Sequence, residues 1–111
     1  MDAASVVDRY FKNMRERNLD GLMALFGESA TFVLPDGRAL SGTAAIRGMY
    51  THLFAGAAPS PTPQAVITGA SGAAVEIETR IADGSTRRTA NFFHLDDTGQ
   101  IERLSVYMRN G

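Results

Sequence analysis

Few residues of this 111-residue chain are equipped for chemistry, and their types limit what it can do. There is no cysteine, which excludes disulfides, thiolate nucleophiles and sulfur-ligated zinc. Imidazole comes from His52 and His94 alone. General acid–base catalysis needs a titratable group within about 3 Å of the proton it moves, directly or through one water. His94 lies three residues after Asn91, so strand alternation turns it away from the face that Asn91 shares with Phe93 and Leu95. His52, two residues after Tyr50 on a helical stretch, falls on a different side and reads as a surface or interface residue. Glu76, Glu78 and Arg80 alternate with Val75, Ile77 and Ile81, the pattern of a solvated strand face, because charged side chains are rarely buried unpaired. Asn91 is different: it sits in an apolar strand beside Phe92 and Phe93, where a buried amide needs partners, and a cavity-facing position accounts for it.

The elements that must position these groups can be read from periodicity. Val6, Val7, Tyr10, Phe11 and Met14 recur at three- and four-residue steps, an amphipathic first helix with Asp8, Arg9, Lys12 and Arg15 mostly outside. Asn18 or Asp20 caps a short second helix with Leu22, Met23, Leu25 and Phe26 as its buried stripe, stopped by Gly27. The spacing predicts a strand over Ala30–Leu34, closed by the Pro35-Asp36-Gly37 turn. A third helix is expected from Ser41–Thr43, with a hydroxyl as its cap and Ile46, Met49, Tyr50, Leu53 and Phe54 buried. Gly56–Gln64, rich in Ala, Pro and Ser, links elements inside one domain spanning 1–111. After it the period becomes two: strands at Val75–Ile81, Arg87–Leu95 and Ile101–Met108, with turns at Asp83-Gly84 and Asp96–Gly99. Three helices followed by an antiparallel meander is an α+β order. Tyr10, by itself, reads as a core tyrosine on an apolar stripe.

The segment Val6–Tyr50, VVDRYFKNMRERNLDGLMALFGESATFVLPDGRALSGTAAIRGMY, resembles the front half of the ketosteroid isomerases of the nuclear transport factor 2-like (SnoaL-like) superfamily. The resemblance extends over nearly the whole chain. It implies a cone in which a strongly curved, mainly antiparallel sheet wraps three helices around a deep apolar cavity. Tyr10, in the Arg9-Tyr10 pair, matches the tyrosine that donates a hydrogen bond to the substrate oxyanion in that family. Asn91, in Asn-Phe-Phe, matches the acid of an Asp-x-Phe segment that the family keeps protonated in an apolar site. Tyr50 matches a second tyrosine that bonds the first. One position departs. The isomerases carry their proton-abstracting Asp just before the Pro-x-Gly turn, and here Leu34 occupies it. Asp36 is the nearest acid in sequence, but adjacent side chains turn to opposite faces and Asp36 lies inside the turn, which counts against its reaching the cavity. Glu76, Glu78 and Arg80 are also similar in spacing to the acid–arginine–acid set of the limonene epoxide hydrolases, against which stands the solvated-face reading.

The resemblance therefore implies a pocket for a small hydrophobic molecule, aromatic or polycyclic, bearing a carbonyl or phenol. Its catalytic set is Tyr10, Asn91 and Tyr50, and its lining Phe26, Phe32, Leu34, Met49, Leu53, Phe93, Val106 and Met108. An amide donates a hydrogen bond at every ordinary pH, whereas a carboxylic acid does so only when burial raises its pKa. Two function classes follow: a lyase, isomerase or cyclase with a Tyr/Asn oxyanion site, or a dimeric domain that binds the ligand without reaction. True ketosteroid isomerase activity is not expected with Leu34 in place of the base. No metal or nucleotide signature occurs, so no cofactor is expected. The 11 basic and 12 acidic residues nearly cancel, giving no field to recruit nucleic acid or an anionic membrane. The start, Met-Asp-Ala-Ala-Ser, lacks a basic segment leading into an apolar run, and no stretch nears the roughly 20 apolar residues of a spanning helix, so a cytoplasmic location is expected. The family resemblance adds a homodimer packed through the outer sheet face.

Overall fold

A helix begins where the chain can first satisfy its orphan N–H groups, and here that is Asp2, whose carboxylate accepts the Ser5 N–H at 2.9 Å. The computed structural model describes residues 2–56 and 60–109, in the order α1 (Ala3–Glu16), α2 (Leu19–Met23), β1 (Phe26–Val33), β2 (Ala39–Ser41), α3 (Thr43–Ala55), β3 (Thr62–Gly69), β4 (Gly72–Arg80), β5 (Thr86–Leu95) and β6 (Ile101–Met108). The buried stripe of α1 is Ala3, Val6, Val7, Tyr10, Phe11 and Met14, as the periodicity predicts. It stops at Arg17, which takes the left-handed conformation with φ 52°. Asn18 then caps α2 by accepting the Gly21 N–H at 3.0 Å.

Four boundaries differ from the sequence reading, each for a tertiary reason. The second helix ends at Met23, because Leu25 leaves it to accept the Ile101 N–H at 2.8 Å and Phe26 already pairs with Ile101 in the sheet. The first strand consequently starts at Phe26 rather than Ala30, with a register break against β6 between Phe26 and Thr31 and with Glu28 and Ser29 exposed. No hydroxyl caps α3; its N-cap is Gly42, whose φ of 89° turns the chain out of β2, where Ser41 pairs with Thr31. The expected linker Gly56–Gln64 lies partly outside the described residues, and its last residues, Thr62 to Gln64, open β3, an edge strand exposed along nearly its whole length. Edge position is where a strand tolerates Pro63 and needs no alternating pattern, which is why the period gives it no signal.

The six strands form one sheet in the order β2-β1-β6-β5-β4-β3. Pairing is antiparallel throughout except between β1 and β6, which run parallel. Register breaks at Phe26/Thr31, Pro63/Ala65 and His94/Leu95 bend the strands, and the helices pack against the resulting curved sheet. In the register Asn91 stands between Val75 on β4 and Val106 on β6, and Phe93 between Ala73 and Leu104. These residues share the helix-covered face. Val75, Phe93, Leu104, Tyr10, Phe11, Leu22, Ile46 and Tyr50 are among the buried core. The other face carries Ala74, Glu76, Ala90, Phe92, His94, Arg103, Ser105 and Tyr107 by the same alternation.

Candidate functional site

Two helices with buried aromatic stripes bring together residues forty positions apart. The Tyr10 hydroxyl on α1 and the Tyr50 hydroxyl on α3 lie 2.7 Å apart, and both residues are buried. Tyr10 packs edge-on against Phe11 and Phe93, each with ring centroids 5.1 Å apart. Tyr50 is held from other sides by Phe26, Phe32 and Phe54 at 5.9 to 6.1 Å. Edge-to-face rings fix the torsions of both phenols, so the hydroxyl pair is set by packing rather than by its own bond.

Burial pushes both phenols up. Tyr10 rises from its ordinary 10 to about 12, desolvation outweighing the stabilising hydrogen bond from Tyr50. Tyr50 goes well above 10, by burial first, then by the charge that Tyr10 would carry and by the hydrogen bond between them. The two hydroxyls share one hydrogen bond, and either can be its donor. With Tyr50 as the donor, the proton of Tyr10 is left to point at a ligand.

Asn91 is 5% exposed, and its carboxamide has no hydrogen-bond partner among the described residues. Among those residues no side-chain polar atom sealed from a water-sized probe lacks a partner. Both amide atoms of Asn91 are therefore reached by such a probe, although the residue is nine-tenths buried. Its cross-strand neighbours Val75 and Val106 offer no polar group, so the amide's bonding capacity is directed to the helix-covered side. Phe93, which touches Tyr10, lies two residues along the same face, about 7 Å in strand rise. Phe93 thus neighbours both Asn91, along the strand, and Tyr10, by ring contact.

Of the expected lining, Phe26, Phe32 and Phe93 are buried, and Leu34, Met49 and Val106 are partly buried against the core. Leu53 and Met108 depart from it: they are 38% and 42% exposed, since Leu53 lies in the last turn of α3 and Met108 ends β6 at the rim. Leu34 packs inward, two residues after Phe32, with its N–H bonded to the Arg38 carbonyl at 2.8 Å. An apolar side chain thus sits where the resemblance implies the proton-abstracting residue. Asp36 is turned outward and paired with Arg38 at 2.7 Å, whose N–H groups hold its carboxyl below the usual carboxylate range. His94 faces outward and contacts Arg103 at 3.1 Å; partial burial, then the Arg103 charge, lower its pKa, with Glu102 acting the other way. His52 is exposed. Glu76 and Arg80 are exposed, and Glu78 pairs with Arg88 at 3.3 Å, so the acid–arginine–acid set lies on the outer face. Among the described residues no group of three acidic or imidazole side chains could hold a metal.

Two hollows lie away from the phenols. One of about 640 Å³ on the outer face is lined by Val33, Phe92, His94, Arg103, Ser105 and Tyr107. Another, of about 390 Å³, involves Glu76, Glu78, Arg88 and Tyr107. Around the phenols themselves the rings are in contact, so the interior is closed rather than gaping. The sequence reading also missed Arg17, whose guanidinium donates to the Phe54 carbonyl at 3.2 Å and lies 5.8 Å from the Phe54 ring centroid. That contact ties the end of α1 to the end of α3, behind Tyr50. Its signal, a cation just past a helix end, is too common to single it out.

Solved structures with the same fold include a steroid delta-isomerase from Pseudomonas aeruginosa, 17% identical, with 97% of this chain and 80% of that one covered and a TM-score of 0.81. An NTF2-like protein of unknown function from Mesorhizobium loti is 18% identical over 97% of this chain and 91% of its own, with a TM-score of 0.86. A protein from Sphaerobacter thermophilus is 21% identical over 100% and 99%, with a TM-score of 0.82. At these identities the likeness is one of fold. None of the curated proteins matches the chain. No helix among the described residues is long and apolar enough to cross a membrane. The SnoaL-like domain pattern matches residues 7–104, and with the helix-filled curved sheet this makes the chain a member of the SnoaL-like family, of nuclear transport factor 2-like fold.

Proposed function

We propose that this protein binds a small, largely apolar molecule whose carbonyl or phenol oxygen is held between Tyr10 and Asn91, with Tyr50 orienting Tyr10. One observation carries this reading: a nine-tenths-buried carboxamide with no protein partner, on the face and in the neighbourhood of a buried phenol pair. Buried polar groups are rarely left unpaired, so an unpaired one marks a place for something else. Binding is favoured over turnover because no titratable group among the described residues faces the phenols: Leu34 fills the base position, and Asp36, His52 and His94 all point elsewhere. The test is titration with 2-naphthol, followed by its own fluorescence. Micromolar to millimolar binding that weakens about tenfold in Tyr10→Phe, the effect of one hydrogen bond, is the expected result. Absence of binding at millimolar probe, or indifference to Tyr10→Phe, overturns it.

The fold shared with a steroid delta-isomerase favours a second reading, a lyase, isomerase or cyclase in which the same donors stabilise developing negative charge. Its test is Leu34→Asp. If position 34 faces a formed oxyanion site, the variant gains turnover of an activated ketone with a pH limb from the new carboxylate. A folded variant with no gain counts against a catalytic site of this design.

We further propose a second copy of this chain as partner, seated on the outer sheet face. Ile67, Phe92 and Tyr107 are 73%, 40% and 60% exposed there, and Phe92 and Tyr107 stack edge-on at 5.5 Å. His94 and Arg103 lie at one end of this face, Glu76 lies level with Tyr107 near its middle, and Glu78 pairs with Arg88 toward the other end. Five of the six strands are eight to ten residues long, which gives this face a broad surface on which a second copy can rest. Sedimentation at micromolar concentration checks it, and a monomer there would refute it.

A further inference from the structure

We infer that the ligand of this interior site presents a hydrogen-bond donor and an acceptor side by side, as a lactam or an adjacent hydroxy-carbonyl does, rather than a lone carbonyl. The inference rests on the binding reading above and narrows its ligand class. A carboxamide carries an N–H₂ donor and a carbonyl acceptor about 2 Å apart, and both need partners when buried. Neither amide atom of Asn91 has one among the described residues, and both reach space open to a water-sized probe. The flanking strands cannot supply them, because the residues directly opposite are Val75 and Val106, and the next residue on the same face, Phe93, presents a ring. The point holds whichever way the carboxamide is turned, since both of its ends are unpaired.

A ligand with one carbonyl satisfies the Asn91 N–H₂ and the Tyr10 hydroxyl and leaves the Asn91 carbonyl oxygen facing an apolar group. A ligand whose N–H or O–H stands next to its carbonyl closes both bonds in one ring, in the manner of paired amides. Tyr10 and Tyr50 already share one hydrogen bond at 2.7 Å, so the carboxamide is the group whose donor and acceptor both lack a partner among the described residues. The carboxamide therefore asks for a ligand donor as well as a ligand acceptor, which sets it apart from a site that only holds an oxyanion.

Coumarin and 2-quinolone share one fused bicycle and differ in a ring oxygen against a ring N–H beside the carbonyl. Calorimetric titration of the full chain with each, corrected for octanol–water partitioning, should show the lactam binding about tenfold tighter, the effect of one net hydrogen bond. Asn91→Leu should bring the ratio close to one. Equal affinity for the two in the unaltered chain, or a preference that persists in Asn91→Leu, overturns the inference while 2-naphthol binding leaves the pocket reading standing. Failure of all three probes removes the pocket reading and this inference together. The comparison in the unaltered chain needs no variant, so a misfolded Asn91→Leu does not block it.

Discussion

At the scale of residues, the Tyr10–Tyr50 pair makes a claim about pH that is independent of any ligand. Tyr10 has a folded pKa of about 12 against an ordinary 10, and Tyr50 is shifted in the same direction. A raised value means the neutral phenol is favoured by folding, so its contribution is complete below pH 10 and is lost as pH climbs from 10 through 12. Two pKa units amount to about 3 kcal/mol for Tyr10 alone. Urea unfolding at pH 8, 10 and 11 should show stability falling only above 10, and Tyr10→Phe should flatten that fall. The same substitution leaves the buried Tyr50 hydroxyl without its partner, at a cost of about 1–3 kcal/mol near neutral pH. How much of this pair was legible in the sequence is instructive. Asn91 stands out by alternation alone, because a polar residue on an apolar face is a local signal. Tyr10 on its stripe is indistinguishable from core, and nothing in spacing links it to a residue forty positions on; the family resemblance supplied that link. The inward seat of Leu34 and the outward turn of Asp36 follow from the turn chemistry, which the sequence shows plainly.

Among elements, the strands and helices whose own periodicity is strong were readable, and those defined by their neighbours were not. The strands β4, β5 and β6 announce themselves because one face is buried and the other wet. The short β2 and the edge strand β3 have no buried face to write into the sequence. The early start of β1 is dictated by β6, through the Ile101 N–H bond to Leu25, which no local rule foresees. Close strand contact also sets a sharp constraint at Gly72, where a methyl group would collide with the Phe93 carbonyl of the neighbouring strand. Gly72→Ala should therefore displace Phe93, on which Tyr10 rests, and cost about 1–3 kcal/mol, as overpacking does. Thermal melts would register it as a fall of several degrees. A silent Gly72→Ala would contradict the register of β4 on β5.

On the scale of the whole molecule, the two faces of the sheet differ: the helix-covered face adjoins the phenols and carries the carboxamide, and the outer face carries the exposed Phe92 and Tyr107. If a second copy covers that outer face, Phe92→Glu should convert a dimer to a monomer in sedimentation while leaving 2-naphthol binding unchanged, since Phe92 points away from Asn91. Both faces depend on the position of β6, between β1 and β5. During synthesis the strand that emerges last is the one that must be threaded into the middle. A ribosome-stalled chain lacking residues 101–108 holds two unjoined sheet fragments, β1–β2 and β3–β4–β5, and with them an unfinished hydrophobic interior. Its protection from protease should arrive in one step, only once Met108 has cleared the exit tunnel.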